Sequence, residues 1–200
     1  CLFPWFSEYD IFTMPDIDAI VDVMSEAGQI AISGGQRLSF HPGPFNCLGS
    51  PNEDVVKKTI AELDAHSIQM DLMDLPESPQ AKINIHVGGA YGEHDKTLDR
   101  FCRNFARLSP NAQARLTVEN DDRASLFSTK MLYNGLSSRI GAPIVFDSHH
   151  HDLGPQDSRK TTKTIQFVLV LTLTGIILHL KTLAKMLMLF SSARKKSALF

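Results

Sequence analysis

Four short segments each carry a side chain able to bind a metal ion at or beside their C-terminal end. They are residues 37–41 (RLSFH), 82–87 (KINIHV), 115–119 (RLTVE) and 143–147 (PIVFD), with His41, His86, Glu119 and Asp147 as those side chains. Successive side chains of a strand point to opposite faces. One face therefore collects Ser39, His41, Asn84, His86, Thr117, Glu119, Val145 and Asp147. The other collects Leu38, Phe40, Ile83, Ile85, Leu116, Val118, Ile144 and Phe146, all apolar. The apolar face is expected to pack under helices, and the mostly polar face to line a barrel interior near an active site.

The segments between the strands read as helices. Residues 15–28 place Ile17, Ile20, Val21 and Met24 on one stripe, with Pro15 in the first turn and Gly28 as the stop. Ser50-Pro51-Asn52-Glu53 reads as a capping box opening a helix striped by Val56, Ile60 and Leu63. Residues 95–108 form a third helix, with Leu98, Phe101, Cys102, Phe105 and Leu108 on one face, and Ser128 caps a fourth that runs to about residue 138. Strict helix–strand alternation predicts parallel strands with helical crossovers. The ligand spacings of 45, 33 and 28 residues are each about one βα unit. The expected fold is α/β, a partial TIM (β/α) barrel of about four central βα units. A complete barrel typically takes about 250 residues and eight strands, so the arc is expected to be open on both sides.

The formal charge of −2 averages two unlike segments. Residues 1–158 carry −10 (12 Lys and Arg against 22 Asp and Glu), and residues 159–200 carry +8 (8 Lys and Arg with no acid). The domain is expected over residues 1–154 and an atypical apolar and basic tail over 155–200. Residues 165–180 hold no formal charge and no helical or strand period, and at 16 residues fall short of the roughly 20 that span a bilayer. The tail reads as a foreign segment, such as a shifted reading frame or an untrimmed intron, in preference to a membrane-surface helix. The chain opens on Cys1 without a charged, apolar leader, so a natural N-terminus is read as missing and no signal peptide is expected. Three scattered cysteines favour free thiols in a reducing compartment. The expected location is intracellular: the nucleus in a eukaryote, the cytoplasm or nucleoid in a bacterium.

Histidines and carboxylates at converging strand ends are a ligand set for Zn, Mn or Fe. Asp147-Ser148-His149-His150-His151 adds three imidazoles beside the fourth strand, and the i, i+3 spacing lets Asp147 and His150 turn into one pocket. Glu119, between two His-bearing strands, is the natural bridging carboxylate. Bridged metals about 3.5–4 Å apart can clamp both the attacking and leaving oxygens of a phosphodiester. His66 and His94 read as structural, on a helix surface and in a loop.

The segments Leu38-Ser39-Phe40-His41-Pro42-Gly43, Ile83-Asn84-Ile85-His86-Val87-Gly88-Gly89, Leu116-Thr117-Val118-Glu119-Asn120-Asp121-Asp122 and Val145-Phe146-Asp147-Ser148-His149-His150-His151 resemble the core motifs of the UV damage endonuclease family. The opening Leu2-Phe3-Pro4-Trp5 is similar to the family's segment after its second strand. The resemblance covers residues 1–152. It implies a TIM-barrel, metal-dependent endonuclease, commonly associated with manganese, that nicks double-stranded DNA 5′ of UV photoproducts and some abasic sites to initiate excision repair. It implies metal ligation by His41, His86, Glu119, Asp147 and His150 in two or more sites, with Glu119 and His86 as the catalytic pair. Mn²⁺ is the expected ion, with Zn²⁺ or Mg²⁺ as alternatives. The lesion would be turned out of the base stack.

One departure from the family falls at the lesion probe. Where the family has Gln and an aromatic after His-Pro-Gly, this chain has Pro44 and Phe45. Phe45 can still stack, but Pro44 offers neither a side-chain hydrogen bond nor an N–H. The family's first two and last two strands supply further ligands, a catalytic lysine and lesion contacts, and these have no counterpart here. The alternatives are an abasic-site endonuclease or a sugar isomerase of the same metal-barrel superfamily, or a non-catalytic remnant. Damaged DNA is the one partner expected; no protein partner is, nor membrane contact by the tail.

Overall fold

The computed structural model describes residues 16–154. Cys1, Pro15 and the tail over 155–200 lie outside the described residues, and with them the reading of that tail as foreign. Within them α1 (Ile17–Ser33) precedes β1 (Leu38–Phe40), and α2 (Glu53–Leu72) precedes β2 (Ala81–His86). α3 (His94–Phe105) and α4 (Pro110–Arg115) then lead to β3 (Leu116–Glu119). α5 (Thr129–Leu132), a π turn (Tyr133–Ser137) and α6 (Ser138–Ile140) lead to β4 (Ile144–Val145), and α7 (Ser148–Leu153) follows.

All neighbouring strands are parallel and stand in the order β1-β2-β3-β4. Unbroken sequential order is the winding of a (β/α) barrel; a doubly wound sheet reverses direction at a switch point. The fold is thus an arc of a TIM barrel, with β1 and β4 as the outer strands of the described sheet.

The strand phase sorts the two faces as their alternation predicts. Ile83, Ile85, Leu116, Val118 and Ile144 are buried in one apolar cluster with Leu63 and Met70 of α2, Phe101 of α3, Leu132 of α5 and Leu136 of the π turn. Each such side chain contributes roughly 1.5–3 kcal/mol on full burial. This layer holds the helices beneath the sheet and leaves the opposite face to polar groups.

Several boundaries differ from those the periodicity predicts. α1 passes through Gly28 and ends at Gly34, with Gly35 at φ 62°. Gly28 is the point where α1 crosses the end of α2, since a Cβ there would overlap the Met73 carbonyl oxygen. Asn52, not Ser50, caps α2: its side chain accepts the Asp54 N–H at 2.9 Å, while Ser50 Oγ accepts the Asn52 N–H at 3.1 Å. The helix expected over 95–108 stops at Phe105, and α4, capped by Ser109, fills the gap before β3. Ser128 caps its helix as expected, accepting the Met131 N–H at 3.3 Å.

Buried polar groups account for two further differences. Arg115 closes α4 instead of opening a strand. Only 1% exposed, it donates to Asp71 Oδ1 at 2.7 Å, the Leu75 carbonyl at 2.7 Å and the Pro76 carbonyl at 3.1 Å. His66 is buried rather than on the helix surface, its ring stacked on Phe40 at 4.5 Å. Cys47 and Cys102 are free thiols. Among the described residues no helix is long and apolar enough to cross a membrane.

Candidate metal centre

The sheet register decides how the four strand ends meet. His86 pairs with Glu119, and Glu119 with Val145. Phe40 pairs with Ile83, which puts His41 level with Asn84, two residues short of His86. Asp147 lies two residues beyond Val145. The ligands therefore climb diagonally across the sheet, as strand tilt in a barrel requires.

Glu119 is the hub of the arrangement and is 5% exposed. His41 Nε2 lies 3.5 Å from its Oε2, and His150 Nδ1 lies 3.3 Å from its Oε1. The His86 ring centroid is 5.6 Å from that of His41 and 5.3 Å from that of His150. Two candidate ligand groups result, His41–His86–Glu119 and Glu119–Asp147–His150, with the ligand atoms of each within 4.8 Å of one another. Glu119 belongs to both. The structure thus brings together all five side chains that the sequence singles out as ligands.

The fourth strand end is shaped by a helix that the sequence did not announce. The histidine run forms α7, and Asp147 caps that helix by accepting the His150 N–H at 2.9 Å. Burial would raise the Asp147 carboxyl, but the backbone N–H of His150 and the charge of that imidazole outweigh it and hold the group low. His149 is exposed on α7, and His151 lies 5.2 Å from the Phe146 ring.

Three polar residues outside the predicted ligand set orient it. Asn84 Nδ2 donates to Glu119 Oε2 and is itself fixed by Thr117 Oγ1 at 2.9 Å. Asp121 Oδ1 lies 3.3 Å from His86 Nδ1. Burial alone would lower the His86 imidazole, but Asp121, backed by Glu119 and Asp122, leaves it raised. The Asn120 side-chain amide holds the backbone of Asp147. His86 Nδ1 faces Asp121, and His150 Nδ1 faces Glu119 and the Asn120 carbonyl at 3.0 Å. In the His150 ring Nδ1 donates to the Asn120 carbonyl and Nε2 keeps the lone pair, the usual arrangement around a metal-ligating histidine; His86 Nδ1 lies near Asp121 without making a hydrogen bond. For Asn84 the signal lay in its strand phase; for Asn120 and Asp121 it was adjacency to Glu119.

The donor set fits a divalent cation. The ion-pair contacts of Glu119 and Asp121 are all to imidazoles, so the carboxylate charge gathered here has no Lys or Arg among those partners. Oxygen and imidazole donors without thiolate suit Mn, Zn, Fe or Mg.

Pro44 and Phe45 stand outside the cluster. They form the two central residues of a turn closed by the Asn46 N–H to the Gly43 carbonyl at 3.1 Å, with Pro44 in the position that favours its fixed φ. Phe45 is 87% exposed.

A parallel arc with candidate ligand groups at its C-terminal strand ends defines a (β/α)-barrel protein whose site lies at that face. The chain belongs to the UV-endonuclease UvdE family, whose model matches residues 2–182. It is 40% identical over 134 residues to a UV-damage endonuclease of Neurospora crassa, covering 66% of this chain and 20% of that protein. It is 35% identical over 133 residues to a UV DNA damage endonuclease of Bacillus pumilus, covering 66% of this chain and 40% of the relative. A crystal structure of SacUVDE superimposes with a TM-score of 0.65 at 33% identity, covering 74% of this chain and 49% of the other. The chain thus spans less than half the length of each of these relatives.

Proposed function

We propose that this chain carries the central metal-binding arc of a DNA repair endonuclease, one that nicks the phosphodiester 5′ of UV photoproducts by metal-assisted hydrolysis. The observation that carries this reading is the sharing of one buried carboxylate, Glu119, between two ligand groups. A bridged pair of cations suits phosphodiester cleavage better than a single site does.

His41, His86 and Glu119 would hold one cation, and Glu119, Asp147 and His150 a second. Mn²⁺ is the ion we favour. Divalent ions bound there would supply Lewis acidity, acidifying a water near neutral pH and offsetting phosphate charge. Asn84 keeps Glu119 in its shared position, and Asp121 keeps His86 turned inward. Asn120 keeps Asp147 and His150 at the rim. Phe45 would meet the unstacked lesion, and Pro44 limits that contact to stacking. The partner is damaged double-stranded DNA.

Two readouts test the proposal. Titration with Mn²⁺ should show uptake by this chain that Glu119→Gln abolishes. The protein extended to the length of its relatives should relax supercoiled plasmid only after UV irradiation and only with the metal present. Nicking that ignores irradiation, or persists with a chelator, would overturn the reading.

A further inference from the structure

The loop between β2 and α3 contains three positive-φ residues within five: Gly88 at 93°, Tyr91 at 49° and Gly92 at 79°. The two glycines adopt that region without cost, whereas Tyr91 carries a Cβ that disfavours it. Strain of this kind persists where the surroundings impose it and clusters at functional sites.

The surroundings fix the ring. Ring atoms of Tyr91 lie 3.3–3.5 Å from where a Gly89 Cβ would sit, so the side chain packs on bare backbone. The Arg100 guanidinium carbon is 5.7 Å from the ring centroid. Arg100 is tied in turn to the Gly49 carbonyl at 2.8 Å and to Thr97 Oγ1 at 2.8 Å. Despite this bracing Tyr91 is 50% exposed. Core packing does not explain a ring held so firmly and left half in water.

Its neighbour is the Phe45 turn. A Cβ on Gly88 would fall 2.5 Å from Cys47 Sγ, and Cys47 Sγ donates to the Pro44 carbonyl at 3.5 Å. The Tyr91 loop and the Phe45 turn therefore pack against one another through a single buried thiol. Among the described Phe and Tyr residues, Phe45 and Tyr91 are the two most exposed. Both stand on loops that follow ligand-bearing strand ends, one after His41 and one after His86.

We propose that Tyr91 is a second nucleobase-stacking residue, taking an unpaired base beside the one met by Phe45. The inference rests on the endonuclease reading and deepens it. Every base has a π face, so a rigid exposed ring serves any sequence. The described partners of Arg100 are neutral oxygens, which leaves its charge for a neighbouring phosphate.

The test uses variants suited to the backbone. Tyr91→Asn deletes the ring but tolerates positive φ, Tyr91→Leu keeps bulk without a π face, and Tyr91→Phe keeps the ring without the hydroxyl. The probe is a fluorescein-labelled duplex with an unpaired thymine bulge, compared by anisotropy at fixed Mn²⁺ with the same duplex fully paired. Wild type should prefer the bulged duplex. Tyr91→Asn and Tyr91→Leu should lose about tenfold in affinity for it and little for the paired one, and Tyr91→Phe should bind as wild type. Melting and Mn²⁺ uptake should stay unchanged throughout. If wild type shows the preference and the ring-deleting variants keep it, this inference alone is overturned. Equal losses in all three variants would also overturn it, because they would assign the effect to the hydroxyl. A wild-type chain without any preference sinks the endonuclease reading and this inference together.

Discussion

Asn120 and Asp147 exchange two hydrogen bonds: Asn120 Nδ2 donates to the Asp147 carbonyl at 2.9 Å, and the Asp147 N–H donates to Asn120 Oδ1 at 2.9 Å. A side-chain amide thus takes over the pairing of β3 with β4 where the backbone ladder ends at Val145. The carbonyl of the same residue meets His150 Nδ1. One buried residue positions both groups at the fourth strand end.

Asn120→Ala should therefore act on stability and metal binding together. Two backbone groups of Asp147 lose their partner, which costs about 1–3 kcal/mol when such groups stay buried. Mn²⁺ affinity should fall about 10–100-fold, the usual effect of removing a group that orients a ligand. Thermal melting and titration calorimetry read the two effects separately. Unchanged affinity would show that Asp147 is held by other means.

Glu119→Gln should separate charge from shape. The amide matches the carboxylate in size and removes one negative charge from a cluster short of cationic partners. Metal-free protein should melt no lower than wild type. Mn²⁺ should raise the Tm of wild type, through binding only the folded state, and leave that of the variant unchanged. A variant still stabilised by Mn²⁺ would show that Glu119 is not the shared ligand.

Gly28→Ala should loosen α1 and leave the sheet intact. The new methyl would overlap the Met73 carbonyl, a backbone atom that cannot swing aside. Overpacking of this kind costs about 1–3 kcal/mol. Hydrogen exchange should quicken in Ile17–Ser33 while Ile83, Ile85 and Val118 keep their protection.

His66 makes folding sensitive to acid. Burial lowers its pKa, and the carboxylate of Glu62, 3.7 Å away, only partly offsets this. The unfolded chain then binds a proton at higher pH than the folded one. The His66 contribution is fully present above the unfolded value of about 6.5 and is lost as pH falls from there through the folded value. His66→Phe keeps a ring against Phe40 and removes the titration. Its stability should decline less between pH 7 and 5 than that of wild type, as measured by urea melts across that range. Parallel declines would place the acid sensitivity elsewhere.

Much of this arrangement was legible in the sequence because side-chain alternation has a short, local period. The phases of RLSFH, KINIHV, RLTVE and PIVFD assigned Ile83, Ile85, Leu116, Val118 and Ile144 to the core, and His41, His86, Glu119 and Asp147 to the opposite face. Helix ends were harder to read, since Ser50 and Asn52 are both good caps and only packing chooses between them. Gly28 has the composition of a stop, yet its role is set by Met73, which is distant in sequence. His66 sits on a helix of mixed polarity, so nothing local reveals that Phe40 lies over it.

Strand phase put Asn84 on the polar face and adjacency put Asn120 and Asp121 beside Glu119, but the partners that give them their roles lie far away in sequence. Asn84 meets Glu119 across 35 residues and Asn120 meets Asp147 across 27. The sequence by itself determined the strands, their buried face and the identity of the metal-capable side chains, because these depend on residue type and a repeat of two. Only the tertiary structure decided the strand register, the diagonal that brings the ligands to Glu119, and the short helix capped by Asp147. Those depend on parallel pairing and tilt between segments that share no local signal.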